Sequence, residues 1–237
     1  VTVSRGLGDV YKRQSLDHFK AKFFFLKNIF FQSMPITIAI LGYSIAATVV
    51  FTYVGLFGEY AVAGYGSATR IEQVVLLPIL GINTAIISII AQNIGAKYYD
   101  RVEQSYFTSI KYGLFIMLIA GVVIFISADI VPKFFSSNPE VIMHGSMYLK
   151  ISAFILPAYP IFFLSNGFFM ALKKSEKAMV NNIARNVIVP VLSFYIAKYL
   201  NADFKTFFYI WAIFQWLISL MLLIYVKYYI KHKLANI

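Results

Sequence analysis

Hydrophobic residues along this chain fall into six segments separated by short connections rich in lysine. Each segment is close to the 20 or so residues that a helix needs to cross the hydrocarbon layer of a bilayer, and tilt can absorb the differences in length. The pattern therefore predicts an all-α membrane protein with six transmembrane helices. The predicted helices cover residues 35–57, 71–90, 112–128, 151–171, 178–197 and 206–226.

The second segment, residues 71–90, has one apolar side and one polar side. A membrane helix with this division usually has its polar side against protein or water. We therefore predict that this helix forms one wall of a polar cavity. At 100° per residue, the apolar face consists of Ile71, Val74, Val75, Pro78, Ile82, Ala85 and Ile89. The opposite side holds Arg70, Gln73, Thr84 and Ser88, with Glu72 and Asn83 on its flank.

Glu72 is the one charged residue between Ile71 and Ile90. A carboxylate inside a membrane can exchange protons or bind cations, so Glu72 is a candidate for an ion pathway. The alternative is a local pair with Arg70, or a solvated position at the membrane boundary. Arg70, Gln73, Asn83 and Thr84 are further pathway candidates because they share the polar sector.

The first segment contributes two more candidates, Tyr43 and Thr48. The ring of Tyr43 can stack against an aromatic or cationic substrate. Thr48 shares a helix face with other small polar residues, which suits either a cavity wall or close packing through hydroxyl bonds to the preceding turn. Arg185, in the fifth segment, is interpreted as an anchor whose long side chain reaches the membrane interface.

The composition agrees with a membrane protein and argues against other classes. Hydrophobic residues make up 60% of the chain and charged residues 13%, with a mean hydropathy of +0.73. The net charge of +11 does not predict nucleic-acid binding, because the basic residues lie between hydrophobic segments instead of on one soluble face. With no cysteine, disulfide and thiol chemistry are excluded. Neither a metal-ligand spacing nor a phosphate loop nor a nucleophile triad is recognisable, so we do not expect an enzyme.

The connections differ in their content of lysine and arginine, which predicts orientation. Successive connections alternate between the two sides of the membrane. One side holds eleven basic residues, whereas the other holds Lys133, Lys198 and Lys205, with Arg70 at the membrane edge. We therefore expect a multi-pass protein of the plasma (inner) membrane with both ends in the cytoplasm. The eleven are Lys20, Lys22, Lys27, Lys97, Arg101, Lys173, Lys174, Lys177, Lys227, Lys231 and Lys233.

The first fourteen residues are expected to be foreign to the protein. Residues 9–14 read Asp-Val-Tyr-Lys-Arg-Gln, which is the translation of a common transposase-type sequencing adapter. We therefore divide the chain into an adapter-derived segment (1–14), a cytoplasmic lead-in (15–31), a six-helix membrane unit (32–230) and a cytoplasmic tail (231–237). The natural reading frame is expected to begin at or near Ser15.

Four short motifs around the second segment carry a family resemblance. They are Ala-Val-Ala-Gly-Tyr-Gly-Ser at 61–67, Arg-Ile-Glu at 70–72, Leu-Pro-Ile-Leu-Gly-Ile at 77–82 and Gln-Asn-Ile-Gly-Ala-Lys at 92–97. In this order and spacing they resemble the eighth helix and following loop of the MATE multidrug and toxin extrusion transporters. The resemblance extends more loosely from about residue 30 to the C-terminus.

The resemblance implies a fold and a function. The six helices would form the C-terminal lobe of a pseudo-symmetric twelve-helix transporter, with the N-terminal lobe of the same polypeptide as partner across a central cavity. The implied function is a secondary antiporter that exports drugs or small amphipathic cations in exchange for H⁺ or Na⁺. The lipid bilayer is the other expected partner, and no cofactor is expected beyond the coupling ion.

One departure from the family bears on that ion. A branch of the family couples transport to Na⁺ through a Glu in the seventh helix and an Asp in the tenth. Those positions correspond here to Tyr43 and approximately to Tyr159, and neither is acidic. The coupling ion is therefore expected to bind mainly in the N-terminal lobe, and Tyr159 is included among the pathway candidates.

Two other functions stay open at this point. The first is a lipid-linked oligosaccharide flippase of the same superfamily, which would need cationic residues in the cavity, and only Arg70 and Arg185 come near it. The second is a six-helix membrane scaffold that does not transport and works as a dimer. A second homologous lobe upstream would exclude the scaffold.

Overall fold

The computed structural model describes residues 23–234, and within that range it is helical and contains no strand. The all-α class predicted from the sequence is confirmed. The proposed adapter segment (1–14), the first part of the lead-in (15–22) and the end of the tail (235–237) lie outside the described residues.

Eight α-helices follow one another in the described range, with two π-helical segments and one short 3₁₀ turn between or after them. They are α1 (Phe23–Gly55), α2 (Glu59–Gly95), α3 (Tyr99–Ser127), the 3₁₀ turn Val131–Phe134, α4 (Pro139–Ile155), α5 (Ala158–Ala171), α6 (Ser175–Ile183), the π segment Ala184–Ile188, α7 (Val189–Tyr199), α8 (Phe204–Tyr229) and the π segment Ile230–Leu234.

These helices group into six units that overlap the six predicted segments. Four of them, α2, α3, α6 to α7 and α8, are continuous and apolar enough to span a membrane. A fifth consists of α4 and α5, which are bent by 54° relative to each other. The first unit is α1, whose apolar part is Leu41–Gly55.

The helices are longer than the hydrophobic segments that predicted them. The first begins at Phe23, within the predicted lead-in (15–31), and continues through Pro35, which was expected to start it. The second begins at Glu59 instead of 71, and the fourth unit at Pro139 instead of 151. Hydropathy marks the part of a helix that suits hydrocarbon, whereas backbone hydrogen bonds and caps decide where the helix ends. At α4, for example, the Asn138 side chain accepts from the Glu140 amide at 2.9 Å.

The break between α4 and α5 follows from proline. Pro157 lacks the N–H that would continue the hydrogen-bond ladder, and its ring crowds the carbonyl one turn earlier. The helix therefore stops at Ile155 and resumes at Ala158. The segment 151–171, which was predicted as one span, is therefore divided between α4 and α5.

The centre of the lobe is α2, which packs against α3, α4 and α5, and α8 packs against α4 and α5 in turn. Contact between α2 and α4 is close at Gly64, where an added Cβ would lie 2.6 Å from the Val141 carbonyl oxygen. Small residues allow this approach of two helix backbones in a membrane. Because α2 is held here against α4, the residues two turns further along α2 also face α4.

Candidate functional site

The side chain of Glu72 is buried in the middle of the lobe, with 6% of its surface exposed. Its carboxylate accepts two hydrogen bonds from tyrosine hydroxyls, because Tyr148 donates to Oε2 and Tyr159 donates to Oε1. Tyr148 belongs to α4 and Tyr159 to α5, so the two donors come from opposite sides of the break. Both carboxylate oxygens are therefore held by neutral donors.

The position of Glu72 corrects the expectation drawn from its segment. Because α2 begins at Glu59, Glu72 is the fourteenth residue of the helix and lies roughly 20 Å from its first residue. Neither a solvated boundary position nor a local pair with Arg70 fits, since Glu72 is buried and Arg70 is exposed. The polar and small residues of 59–70 belong to the same helix, although their hydropathy did not reveal it.

Arg185 is the second charged side chain in this region, and it is 7% exposed. Its Nε donates to Gln215 Oε1 at 2.5 Å, and its guanidinium carbon lies 4.6 Å from the ring centre of Tyr159 and 4.3 Å from that of Phe162. The interpretation as an interfacial anchor is therefore wrong. Stacking on aromatic faces and one amide partner accommodate the cation inside the lobe.

A π-helical segment places Arg185. Residues Ala184–Ile188 adopt the wider π geometry directly before α7, in which Pro190 lies at the first turn. Proline at that point lacks an N–H for the α-helical ladder, so a local change in hydrogen bonding is expected there. Single π turns inside α-helices occur often at functional sites.

Glu72 and Arg185 line one cavity of about 270 Å³. They do not form an ion pair in the described part of the chain, but Tyr159 joins them, since its hydroxyl binds Glu72 and its ring supports Arg185. The other walls are mostly aromatic or apolar and come from α1, α2, α5 and α8. They include Tyr43, Ala47, Val50, Phe51, Tyr65, Leu76, Phe163 and Trp211.

The structure brings four of the eight candidate residues together at this cavity. Tyr43, Glu72, Gln73 and Tyr159 line it, and Tyr43 is 57% exposed on its open side.

The other four candidates lie elsewhere. The hydroxyls of Thr48 and Thr84 are turned back to the carbonyls of Ser44 and Leu80 and lie on exposed helix sides. Asn83 packs against Gly167 of α5, with a buried Oδ1 that has no partner among the described residues, and Arg70 is exposed outside the cavity.

Several residues of the site were missed by sequence reasoning. Tyr148 is one of 17 tyrosines, and nothing in its segment distinguishes it. Gln215 and Arg185 did carry a signal, because an amide or a charge within an apolar segment is costly unless it has a partner. Glu72 and Arg185 are the two charged side chains that are buried in the described residues, and both contact Tyr159.

The site suits a single positive charge better than a transition metal. Within residues 23–234, no group of three His, Cys, Asp or Glu side chains is close enough to hold a metal ion. One carboxylate, flanked by tyrosine hydroxyl oxygens and faced by aromatic rings, offers oxygen ligands and π faces to a proton, a monovalent cation or an organic cation.

Comparison with known proteins gives consistent relatives. A family model described as MatE matches residues 35–195. The probable multidrug resistance protein YpnP of Bacillus subtilis (strain 168) is 26% identical over 150 residues, which are 63% of this chain and 32% of that protein. A protein named FAD transporter from Shewanella oneidensis is 24% identical over 145 residues, which are 61% of this chain and 32% of that protein.

The fold is also found in solved structures. A multidrug resistance MATE family transporter in an outward-facing conformation superposes with a TM-score of 0.84 at 23% identity, over 92% of this chain and 49% of that one. At this identity the likeness shows the fold alone. The chain thus spans about a third of the length of these curated relatives and about half of the solved structure. One of these relatives is named as a transporter and the other as a probable multidrug resistance protein, and the chain is not an enzyme.

Proposed function

Because this chain belongs to the MatE family, we propose that it forms one six-helix lobe of a secondary antiporter that exports drugs or organic cations in exchange for H⁺ or Na⁺. Its partner would be the N-terminal lobe of the same polypeptide, across the cavity that contains Glu72. The lobe would lie in the plasma membrane with both ends in the cytoplasm. The name of YpnP, a multidrug resistance protein, supports the export of drugs.

The main support for this proposal is the environment of the Glu72 side chain. Its carboxylate is buried, faces a cavity with aromatic walls and is held by neutral hydroxyls, with no direct cationic partner in the part of the chain that the structure describes. A buried carboxylate without such a partner attracts a cation strongly, because little water is present to screen its charge. Tyr43, Tyr65 and Trp211 add π faces on which an amphipathic cation can stack.

The open side of the cavity supports a second lobe as its other wall. Tyr43 and Gln73 line the cavity and yet are exposed in this chain. The exposed polar side of α2 continues from Gln73 to Thr84 and Ser88. In a membrane such a polar strip is stable only against protein or water.

The test is the substitution Glu72→Gln in the full-length polypeptide. Glutamine keeps the size and one acceptor oxygen but removes the negative charge. Efflux of a cationic dye from cells or proteoliposomes should fall about tenfold or more, since loss of a charged hydrogen-bond acceptor costs more than about 1.4 kcal/mol.

Two variants control for charge and packing. Glu103→Gln removes an exposed carboxylate of α3, and Val74→Ala trims a side chain that is 66% exposed on the apolar side of α2. Both should transport as the parent does. If Glu72→Gln transports normally at every pH tested while it is expressed normally, Glu72 is no part of the coupling site, and coupling belongs to the N-terminal lobe.

Arg185 supports a second candidate function, the transport of an anionic substrate. It lines the cavity, and a relative in the same family is named FAD transporter. A lipid-linked oligosaccharide flippase would use the same cationic residue, whereas a dimeric scaffold would need none. Competition with FAD separates the transport of anions from the export of cations. Excess FAD should inhibit dye efflux only if Arg185 binds an anionic substrate, and Arg185→Gln should then abolish that inhibition.

A further inference from the structure

A second set of cavities lies on the side of α4 and α8 that faces away from Glu72. The first, of about 610 Å³, lies at the end of the lobe near the 3₁₀ turn. The second, of about 320 Å³, shares Tyr209 with the first, and the third, of about 390 Å³, shares Phe154 and Trp216 with the second. Because neighbouring cavities share these wall residues, we treat the three as one surface feature, which we call the outer groove.

Helix geometry separates the outer groove from the cavity at Glu72. On α8, Trp211 and Gln215 line the cavity, whereas Ile213 and Leu217 line the groove. Each groove residue follows a cavity residue by two positions, which is a turn of about 200° around the helix. The same holds on α4, where Tyr148 faces the cavity and Lys150 lines the groove. The groove therefore lies on the back of the lobe, away from the site of the proposed function.

The end of the groove near the 3₁₀ turn is cationic. Lys133, Lys150 and Lys205 line it together with a single acidic residue, Asp129. Lys150 Nζ donates to Asp129 Oδ2 at 2.7 Å, and Ser146 donates to Oδ1 of the same carboxylate. The Lys150 hydrogen bond, together with that from Ser146, holds the pKa of Asp129 below its ordinary value. The four charges sum to +2, so the pocket has a surplus of two positive charges for an anion.

The rest of the groove is apolar and has the length of one leaflet. Beyond Tyr209, in the direction of the C-terminal end of α8, its walls are Phe154, Ile213, Leu217 and Leu220. The indole of Trp216 donates a 2.9 Å hydrogen bond to the Phe154 carbonyl, which fixes its position. From Tyr209 to Leu220 the helix rises by roughly 17 Å, close to half of the roughly 30 Å thickness of a hydrocarbon core.

We propose that the outer groove is a binding site for an anionic phospholipid. Its phosphate lies between Lys133 and Lys205, and an acyl chain follows α8 from Tyr209 to Leu220. A free phosphate ion would use the cationic end but not the apolar walls. A zwitterionic lipid would fill the walls but would not neutralise the surplus charge. Basic pockets beside membrane helices bind lipid head groups in this way.

Native mass spectrometry of the full-length protein in detergent, titrated with phosphatidylglycerol or with phosphatidylcholine of the same acyl chains, tests the site. The parent should retain phosphatidylglycerol in preference. The double variant Lys133→Gln/Lys205→Gln should weaken that retention roughly 10- to 30-fold, at about fivefold for each lysine near a membrane surface, and should leave phosphatidylcholine unchanged. Lys198→Gln removes an exposed lysine of α7 outside the groove and should have no effect.

Competition separates the lipid from its head group. The protein is first saturated with phosphatidylglycerol. Neither inorganic phosphate nor glycerophosphoglycerol, which is the head group without acyl chains, should then displace the lipid. Equal retention by the double variant and the parent would overturn the proposal, as would an equal loss in Lys198→Gln. Displacement by inorganic phosphate would show an anion pocket instead of a lipid site. Dye efflux separates this test from that of the proposed function, since Glu72→Gln should retain the lipid normally.

Discussion

Two carboxylates of this lobe are held by hydroxyl groups in very different surroundings. Glu72 lies inside the lobe with two tyrosine donors and, within residues 23–234, no lysine or arginine in an ion pair with it. Asp129 lies at one end of the outer groove, with a serine donor and a direct lysine partner, and its side chain is 63% exposed.

The two surroundings have different consequences for stability. An exposed pair such as Lys150–Asp129 is screened by water and usually contributes less than about 1 kcal/mol. A buried charge without a direct counterion costs free energy, so a sequence that keeps one at Glu72 is expected to use it. The donors at Glu72 are neutral hydroxyls, whereas the charge of Asp129 is compensated directly by Lys150.

The largest effect is expected in cysteine labelling, which reports the side of the membrane that each end of the lobe faces. A cysteine is either accessible to an impermeant reagent or it is not, so the result is all or none. The chain has no cysteine, so single cysteines can be introduced cleanly. A cysteine at Ser136, near the groove end with Asp129, should react with an impermeant reagent from outside. One at Ser175 should react only after permeabilisation. The reverse pattern would invert the predicted topology and place the cationic end of the groove in the cytoplasm.

Arg185→Met should cause the largest loss of stability in the cavity region. The change removes the donor to Gln215 and the cation that lies against the rings of Tyr159 and Phe162, so the free energy of unfolding should fall by about 3 kcal/mol. Thermal unfolding in detergent measures it. Arg101→Met, which removes an exposed guanidinium beside Tyr98, is the matched control and should change little. Equal unfolding curves for the two variants would mean that these contacts of Arg185 contribute little to stability.

Tyr159→Phe should have an intermediate effect, because it removes one of the two donors to Glu72. We expect the free energy of unfolding to fall by about 2 kcal/mol, in the range for a hydrogen bond to a charged group. Tyr112→Phe, at an exposed ring of α3, serves as control. In the double variant with Glu72→Gln, the effect of Tyr159→Phe should shrink, since contacting residues are not additive. Additive losses would argue against a shared hydrogen bond.

Asp129→Asn should have the smallest effect, less than about 1 kcal/mol at neutral pH. Because the pKa of Asp129 is lowered in the folded protein by Lys150 and Ser146, its contribution is present above the ordinary Asp pKa of about 3.9. That contribution is lost as pH falls through the folded value. The unfolding midpoints of parent and variant should therefore differ slightly at pH 7 and converge in strong acid. A difference that grows on acidification would contradict this assignment.

The number of helical units could be predicted from the sequence, but their ends could not. Six apolar segments give six units because hydrocarbon requires every backbone polar group to be bonded within a helix. Beyond the bilayer that requirement disappears, and caps such as Asn138 and packing at Gly64 decide how far a helix continues. The extension of α2 back to Glu59 is the important case, because it moved Glu72 from a boundary to the interior.

The site was predicted in part for a related reason. Periodicity within one helix identified Glu72 and Gln73, and the family resemblance drew attention to Tyr43 and Tyr159. Periodicity does not report which residue of another helix will meet Glu72, so Tyr148 and Gln215 were missed. Arg185 was misjudged because the π segment and its aromatic neighbours, which allow its burial, depend on three helices at once.

Glu72 connects the two helices that meet at the break between α4 and α5. Tyr148 belongs to α4 and Tyr159 to α5, and the carboxylate of Glu72 accepts a hydrogen bond from each. A ligand that competed with the tyrosine hydroxyls for that carboxylate would weaken this link between the two helices. By reciprocity, a change in the 54° angle that broke one of these hydrogen bonds would change the affinity of Glu72 for such a ligand. The occupancy of one side chain and the angle between two helices would then be thermodynamically linked.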